Sequence, residues 1–226
     1  VGGSSILRGN AAGGGVGVAT LNLSGAFART PDSTLTFVSN NGMVGANPFF
    51  LPAAAALTTN TNGMLGAWAL VSTTHGTTSS ANLEFAVYDP VSGVRSMNLT
   101  EQATLFSAAT SVSNVRFSGT QSVPTGGKTI NSLTLNGAAS TVSFAASSDT
   151  LTVASGGLLS GSDNNARTIG STAVRGRIAS GAAEFFLHNG ANTLTVNADI
   201  TGTTNPVFTS AGTVGGATIR LTNANS

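Results

Sequence analysis

The residues from Lys128 to Ile200 read KTINSLTLNGAASTVSFAASSDTLTVASGGLLSGSDNNARTIGSTAVRGRIASGAAEFFLHNGANTLTVNADI, and this stretch decides the fold. It repeats one small pattern: a short alternating apolar run, then a turn of Gly, Ser, Asn or Asp. Leu133, Val142, Leu151, Leu159, Ile169, Ile178, Phe186 and Leu194 follow one another at steps of 9, 9, 8, 10, 9, 8 and 8 residues. Turn residues Asn136-Gly137, Gly156-Gly157, Gly161, Gly181 and Asn189-Gly190 stand between them. Alternation is the period of a strand, whose side chains point to opposite faces in turn, and short regular spacing marks repetitive all-β architecture.

A longer period lies over the short one. Val142, Ile169 and Val196 are separated by 27 and 27, Leu151 and Ile178 by 27, and Leu159 and Phe186 by 27. Three strands of about nine residues complete one such repeat, and a rise of about 4.8 Å per turn is the ordinary spacing between strands. The spacing therefore predicts a right-handed parallel β-helix in which each of those sets forms an interior column. An antiparallel sandwich is the competing fold, because Asn136-Gly137 and Asn189-Gly190 suit two-residue hairpin loops. A repeat of 27 has no role in a sandwich, so the solenoid is preferred.

Outward from this core the rhythm loosens. Residues 126–226 read as the most regular stack and 1–62 as a looser N-terminal part, with a lateral loop excursion over 41–64; the whole of 1–226 reads as a single β-solenoid domain. Strands are expected at Thr20–Ser24, Thr34–Val38, Leu65–Val71 and Asn82–Tyr88. Within the excursion, Ala53–Ala56 behind Pro52 suits one helical turn, since proline is tolerated at a first helical position. Val1-Gly2-Gly3-Ser4-Ser5 has neither an initiator Met nor the charged and apolar regions of a signal peptide, so the chain reads as a segment of a larger protein.

Composition narrows the partners. Charged residues are 8% of the 226, against roughly 25% in ordinary globular domains, and the surface must therefore be neutral and hydroxyl-rich. Nine Lys and Arg against eight Asp and Glu leave a net charge of +1. The basic residues are scattered, with Arg175 and Arg177 the close pair, so no nucleic-acid footprint follows. Cysteine is absent, which removes disulfides, thiolate metal sites and cysteine nucleophiles together. No apolar run approaches the ~20 residues that span a bilayer. Few charges with much Thr, Ser, Asn and Gly suggest an extracellular or bacterial cell-surface setting.

Candidate chemistry fails at identifiable points. Ser122-Val123-Pro124-Thr125-Gly126-Gly127-Lys128-Thr129 nearly spells a phosphate-binding loop, but the first glycine is missing, and a strand pattern follows where the phosphates need a helix N-terminus. Gly13, Gly15 and Gly17 lack the third glycine of a dinucleotide fingerprint. The turn Gly161-Ser162-Asp163-Asn164-Asn165 is the nearest approach to a calcium-binding repeat, and it reads more simply as a polar corner closed by Asx hydrogen bonds. His75 and His188, separated by 113 residues, have no partner at metal-ligand spacing and read as turn residues. No Gly-x-Ser-x-Gly elbow occurs. The acids Asp32, Glu84, Asp89, Glu101, Asp149, Asp163, Glu184 and Asp199 lie at least five residues apart, and the 27-residue register does not bring Asp149 near Glu184, as a paired-carboxylate glycosidase would require. No catalytic residue, cofactor site or metal site is expected.

Five segments together carry a family resemblance. They are Leu65-Gly66-Ala67-Trp68-Ala69, Phe85-Ala86-Val87-Tyr88-Asp89, Ile130–Gly137, Thr150–Gly157 and Asn192–Val196. Over residues 63–226 the chain resembles bacterial proteins with autotransporter-associated β-strand repeats. The resemblance implies a passenger-like β-helix within a large secreted or surface-attached protein, with further repeats adjoining it. The expected function is a structural or adhesive stalk or filament-forming segment without catalytic activity, with self-association or further repeats of the same polypeptide as partners. The alternative is a carbohydrate-binding or polysaccharide-degrading β-helix domain acting on surface glycans.

Overall fold

A computed structural model describes residues 3–9, 21–23, 28–39, 50–52, 63–72, 83–89, 93–161, 163–202, 206–210 and 216–222. The Ala53–Ala56 turn, the Gly13–Gly17 run and His75 lie outside the described residues. Among the described residues there are 20 strands and no α-helix, and the parallel sheets form a β-solenoid of about four turns. The chain divides into two compact units, Val1–Asn98 and Leu99–Ser226.

In the first unit the strands are β1 (Ser4–Gly9), β2 (Leu21–Leu23), β3 (Thr34–Ser39), β4 (Phe50–Pro52), β5 (Ala69–Ser72), β6 (Leu83–Asp89) and β7 (Gly93–Ser96). β1, β3 and β5 are parallel, with Ser5, Leu35 and Ala69 in register and Leu7, Phe37 and Val71 beside them. The short strands β2 and β4 form a second parallel pair. From β5 onward the direction reverses: β5–β6 and β6–β7 are antiparallel. This half is therefore a parallel ladder extended by a meander, where the sequence had suggested coils throughout. Leu35, Phe37, Leu65, Ala69, Val71, Ala86 and Val94 form its core, with Trp68 against them and the Arg29 guanidinium 5.6 Å over the Trp68 ring.

The second unit holds β8 (Gln102–Ala103), β9 (Asn114–Phe117), β10 (Thr120–Val123), β11 (Lys128–Leu135), β12 (Thr141–Phe144), β13 (Thr150–Ser160), β14 (Arg167–Ile169), β15 (Arg177–Ser180), β16 (Phe185–Asn189), β17 (Thr193–Val196), β18 (Asp199–Thr201), β19 (Pro206–Ser210) and β20 (Thr218–Leu221). Every pairing among them is parallel. Three ladders result. The first is β10-β12-β14-β17-β20, the second joins the N-terminal halves of β11 and β13 to β15 and β18, and the third joins β9 to their C-terminal halves and on to β16 and β19.

Interior columns run through each ladder. Gln121, Val142, Ile169, Val196 and Leu221 are in register on the first, at steps of 21, 27, 27 and 25. Leu151 and Ile178 are paired on the second. The Val142–Ile169–Val196 and Leu151–Ile178 columns expected from the 27-residue spacing therefore form as the sequence predicts, and their strands are parallel. Val142, Leu151, Ile169, Ile178, Leu194 and Val196 are all wholly buried, each contributing about 1.5–3 kcal/mol of hydrophobic stabilisation. Phe106, carried by the turn that follows β8, enters the same core edge-on to Phe117 with ring centroids 5.4 Å apart.

The expected pairing of Leu159 with Phe186 does not form. Leu159 stands opposite His188, and Phe186 opposite Gly157. The corner is the cause: Val153 pairs with Ser180 and Gly157 with Phe186, so three residues turn the lower coil where five turn the upper. The extra length is taken up by the bend Gly181–Glu184, whose ends the Ser180 hydroxyl ties by donating to the carbonyls of Ala182 and Glu184 at 2.9 and 2.8 Å. Gly156, at φ +74°, lies so close beneath the Glu184 carbonyl that a Cβ there would collide with it. Asn136-Gly137 and Asn189-Gly190 are corners of the coil and not hairpin loops, with Gly190 N–H donating to the Ser160 carbonyl at 2.8 Å.

Candidate functional site

The near-match to a phosphate loop forms a turn between β10 and β11. Lys128 opens a strand, not a helix. The amide of Gly126, one of those that would face a phosphate, donates instead to Asp149 Oδ1 at 2.9 Å, while Asp149 Oδ2 accepts from Ala146 N–H at 2.7 Å. Asp149 is buried. The Asp149 carboxylate thus takes up the Gly126 amide and staples one coil to the next.

The turn that resembled a calcium site is filled by a cation of the chain itself. Asp163 forms an ion pair with Arg167, and Asn165 Nδ2 donates to Asp163 Oδ2 at 3.1 Å. Arg167 opens β14 with only 1% of its surface exposed. Its Nη1 donates to Ser160 Oγ at 3.3 Å, to the Gly161 carbonyl at 2.9 Å and to the Asn165 carbonyl at 3.1 Å. Burial lowers its pKa from the usual arginine value to about 10, because desolvation disfavours the charged form. Here the sequence had offered a polar corner, and the partner two residues beyond it was missed. An Arg beginning an apolar-alternating run, where a hydrophobic residue is expected, was the available signal.

His188 lies within β16 and is wholly buried, a correction to its reading as a turn residue. Its Nδ1 is 2.5 Å from Thr209 Oγ1, and its ring stacks on Phe186 with centroids 5.8 Å apart and planes 9° from parallel. The acids remain dispersed. Asp199 is registered opposite Arg177 across β15 and β18, Glu84 is buried in β6, and among the described residues no three His, Asp or Glu side chains gather closely enough to hold a metal ion.

A cleft of about 500 Å³ opens at the corner between β9 and β10. Arg116 comes from β9, Gln121 from the first residues of β10, and Asn136 from the equivalent corner one coil on; Leu99 and Leu105 form the apolar wall. Asn136 is set by two contacts: its N–H donates to the Phe117 carbonyl at 3.0 Å, and its Oδ1 accepts from Gly137 N–H at 3.0 Å. Leu99 and Leu105 are 71% and 46% exposed. Residues of ordinary type, scattered from 99 to 137, make up this cleft, so no motif in the sequence marks it.

No family model, curated protein or solved structure matches the chain.

Proposed function

We propose that the chain is a structural segment of an extracellular or bacterial cell-surface protein, a stalk or filament element of the kind found in autotransporter-associated β-strand repeat proteins. The observation that carries this reading is the last coil of the second unit. Phe208 and Leu221 continue the interior columns above Leu187 and Val196, which are wholly buried, yet they are 42% and 39% exposed. Ile200 and Ile219, above Ile178 and Leu194, are only partly covered. Apolar positions in register with a finished core, beside the edges of β19 and β20 that no further described strand pairs, form a template that another coil completes.

The occupant is a further coil of the same kind, from the same polypeptide or from a second copy. Head-to-tail addition that does not close into a ring produces a filament. The neutral outer surface supports the same reading: Thr120, Thr141, Thr168 and Thr195 form an outward ladder on the first sheet with no charge until Arg220. Association through ladders and apolar burial is weakly sensitive to salt. Analytical ultracentrifugation and negative-stain microscopy at low and high salt test the proposal. Concentration-dependent end-to-end oligomers at both salt levels support it, and a monodisperse monomer at all concentrations refutes it.

A further inference from the structure

Beyond a structural role, we infer that the corner Asn136-Gly137 is a site of spontaneous covalent modification, at which the backbone nitrogen of Gly137 attacks the Asn136 carboxamide and converts the residue to aspartate and isoaspartate. Gly137 N–H donates to Asn136 Oδ1 at 3.0 Å, which sets the attacking nitrogen beside Cγ, the carbon that bears that oxygen. Gly137 has no Cβ to screen this nitrogen. Both residues are half-buried and line the open cleft at the β9–β10 corner, where water reaches them. No hydrogen bond among the described residues holds Asn136 Nδ2, the nitrogen that leaves.

The chemistry balances with water alone. The Gly137 amide gives up its proton to solvent and its nitrogen bonds to Cγ; the Cγ–Nδ2 bond breaks, and Nδ2 takes a proton from solvent and departs as ammonia. Water then opens the cyclic imide. Cleavage of the new N–Cγ bond leaves aspartate, and cleavage of the original peptide C–N bond leaves isoaspartate, with the chain running through Cγ. Isoaspartate lengthens the backbone at a corner where Asn136 N–H donates to the Phe117 carbonyl at 3.0 Å and Ser140 Oγ donates to the Asn136 carbonyl at 3.1 Å, so conversion loosens this coil.

Two other asparagines of the second unit isolate the cause. Asn189-Gly190 has the same sequence, but Asn189 is wholly buried, its Nδ2 donates to the Asn192 and Thr218 carbonyls at 2.8 and 2.9 Å, and Gly190 N–H is engaged by the Ser160 carbonyl at 2.8 Å. Asn192 has the contact without the glycine. Thr193 N–H donates to its Oδ1 at 2.7 Å, and Asn192 Nδ2 donates to the Asn164 carbonyl at 3.0 Å; the β-branched Thr193 side chain is stiff and crowds the nitrogen.

The test is peptide mapping by mass spectrometry of the full chain held at mildly alkaline pH, native and in denaturant, with isoaspartyl peptides separated by chromatography. In the native chain Asn136 should convert at least about tenfold faster than Asn189, which reacts only from a locally opened state. In denaturant the two Asn-Gly pairs should convert at similar rates. The native rate at Asn136 should rise with pH, because the attacking amide must lose its proton. Chains enriched in isoaspartate at this corner should melt below unmodified chains. Native conversion of Asn189 or Asn192 as fast as that of Asn136, conversion of Asn136 in denaturant but not in the native chain, or unchanged melting of the modified chains each overturns the proposal.

Discussion

Arg167 closes onto Asp163 across a single turn, and the guanidinium so placed also donates to Ser160, Gly161 and Asn165. One buried side chain thus sets the whole connection from β13 to β14. Removing it leaves two carbonyls and a carboxylate without their donor. Arg167→Ala is expected to destabilise by about 3 kcal/mol and Asp163→Asn by less, because Asp163 reaches solvent. Thermal unfolding of the two single variants and the double variant measures the coupling, which additive effects would disprove.

The same residue fixes a pH dependence. Its folded pKa of about 10 lies below the ordinary arginine value of the unfolded chain. Between those values the unfolded chain binds more protons than the folded one, so this group's contribution to stability rises with pH there and is flat below about pH 9. Denaturant titrations of wild type and Arg167→Met should therefore differ by a constant from about pH 6 to 9 and by an amount shifting in favour of wild type above about pH 10. A slope in that difference at neutral pH would contradict the assignment.

Ile169 and Thr168 make a matched contrast on one strand. Ile169 sits between Val142 and Val196 in the wholly buried column, and Thr168 between Thr141 and Thr195 on the outward side. Ile169→Asp buries an unpaired charge and is expected to cost several kcal/mol or to abolish folding. Thr168→Asp should cost about 1 kcal/mol or less. Circular dichroism melts compare them, and similar losses would contradict the register.

Gly156 and Gly119 separate steric from conformational cost. Both have positive φ, +74° and +76°, but a Cβ at Gly156 meets the Glu184 carbonyl while one at Gly119 meets open space. Gly119→Ala should therefore cost about 1–2 kcal/mol, the left-handed penalty alone. Gly156→Ala should cost clearly more and loosen the β13–β16 pairing, seen as faster amide exchange at His188 and Gly190.

Asp149 is the anchor of the β10–β11 turn, accepting from Gly126 and Ala146. Asp149→Asn keeps one acceptor and sets an NH2 donor against the other backbone N–H, and should lower stability by about 1–3 kcal/mol. It should leave the chain unable to bind ATP, as measured by equilibrium dialysis, because no helix N-terminus follows the loop. ATP binding by this variant would revive the phosphate-loop reading.

How far the sequence reaches can be argued from two pairs. Val142 and Ile169 are legible as partners because the coil between them keeps its 27-residue length, and apolar alternation carries that period openly. Leu159 and Phe186 share the spacing but miss each other by two residues, because the bend Gly181–Glu184 is longer than the corner beneath it. Polar and small residues at a corner carry no periodic signal, so corner length must be seen. The antiparallel β5–β7 meander was illegible for a related reason: alternation reports a strand and one face, and says nothing of direction. The cleft depends on which corners lie above one another, and local pattern does not encode that.

The parallel ladders of the second unit also have a mechanical meaning. Their inter-strand hydrogen bonds point along the stacking direction, and a 27-residue coil adds only about 4.8 Å in that direction. The same coil, drawn out, is about 90 Å of extended chain. A pull along the stack therefore loads one coil's bonds at a time, and each rupture releases nearly twenty times the length it occupied. Under tension the solenoid yields as a stepwise spool, dissipating work coil by coil while the coils behind the break keep their register.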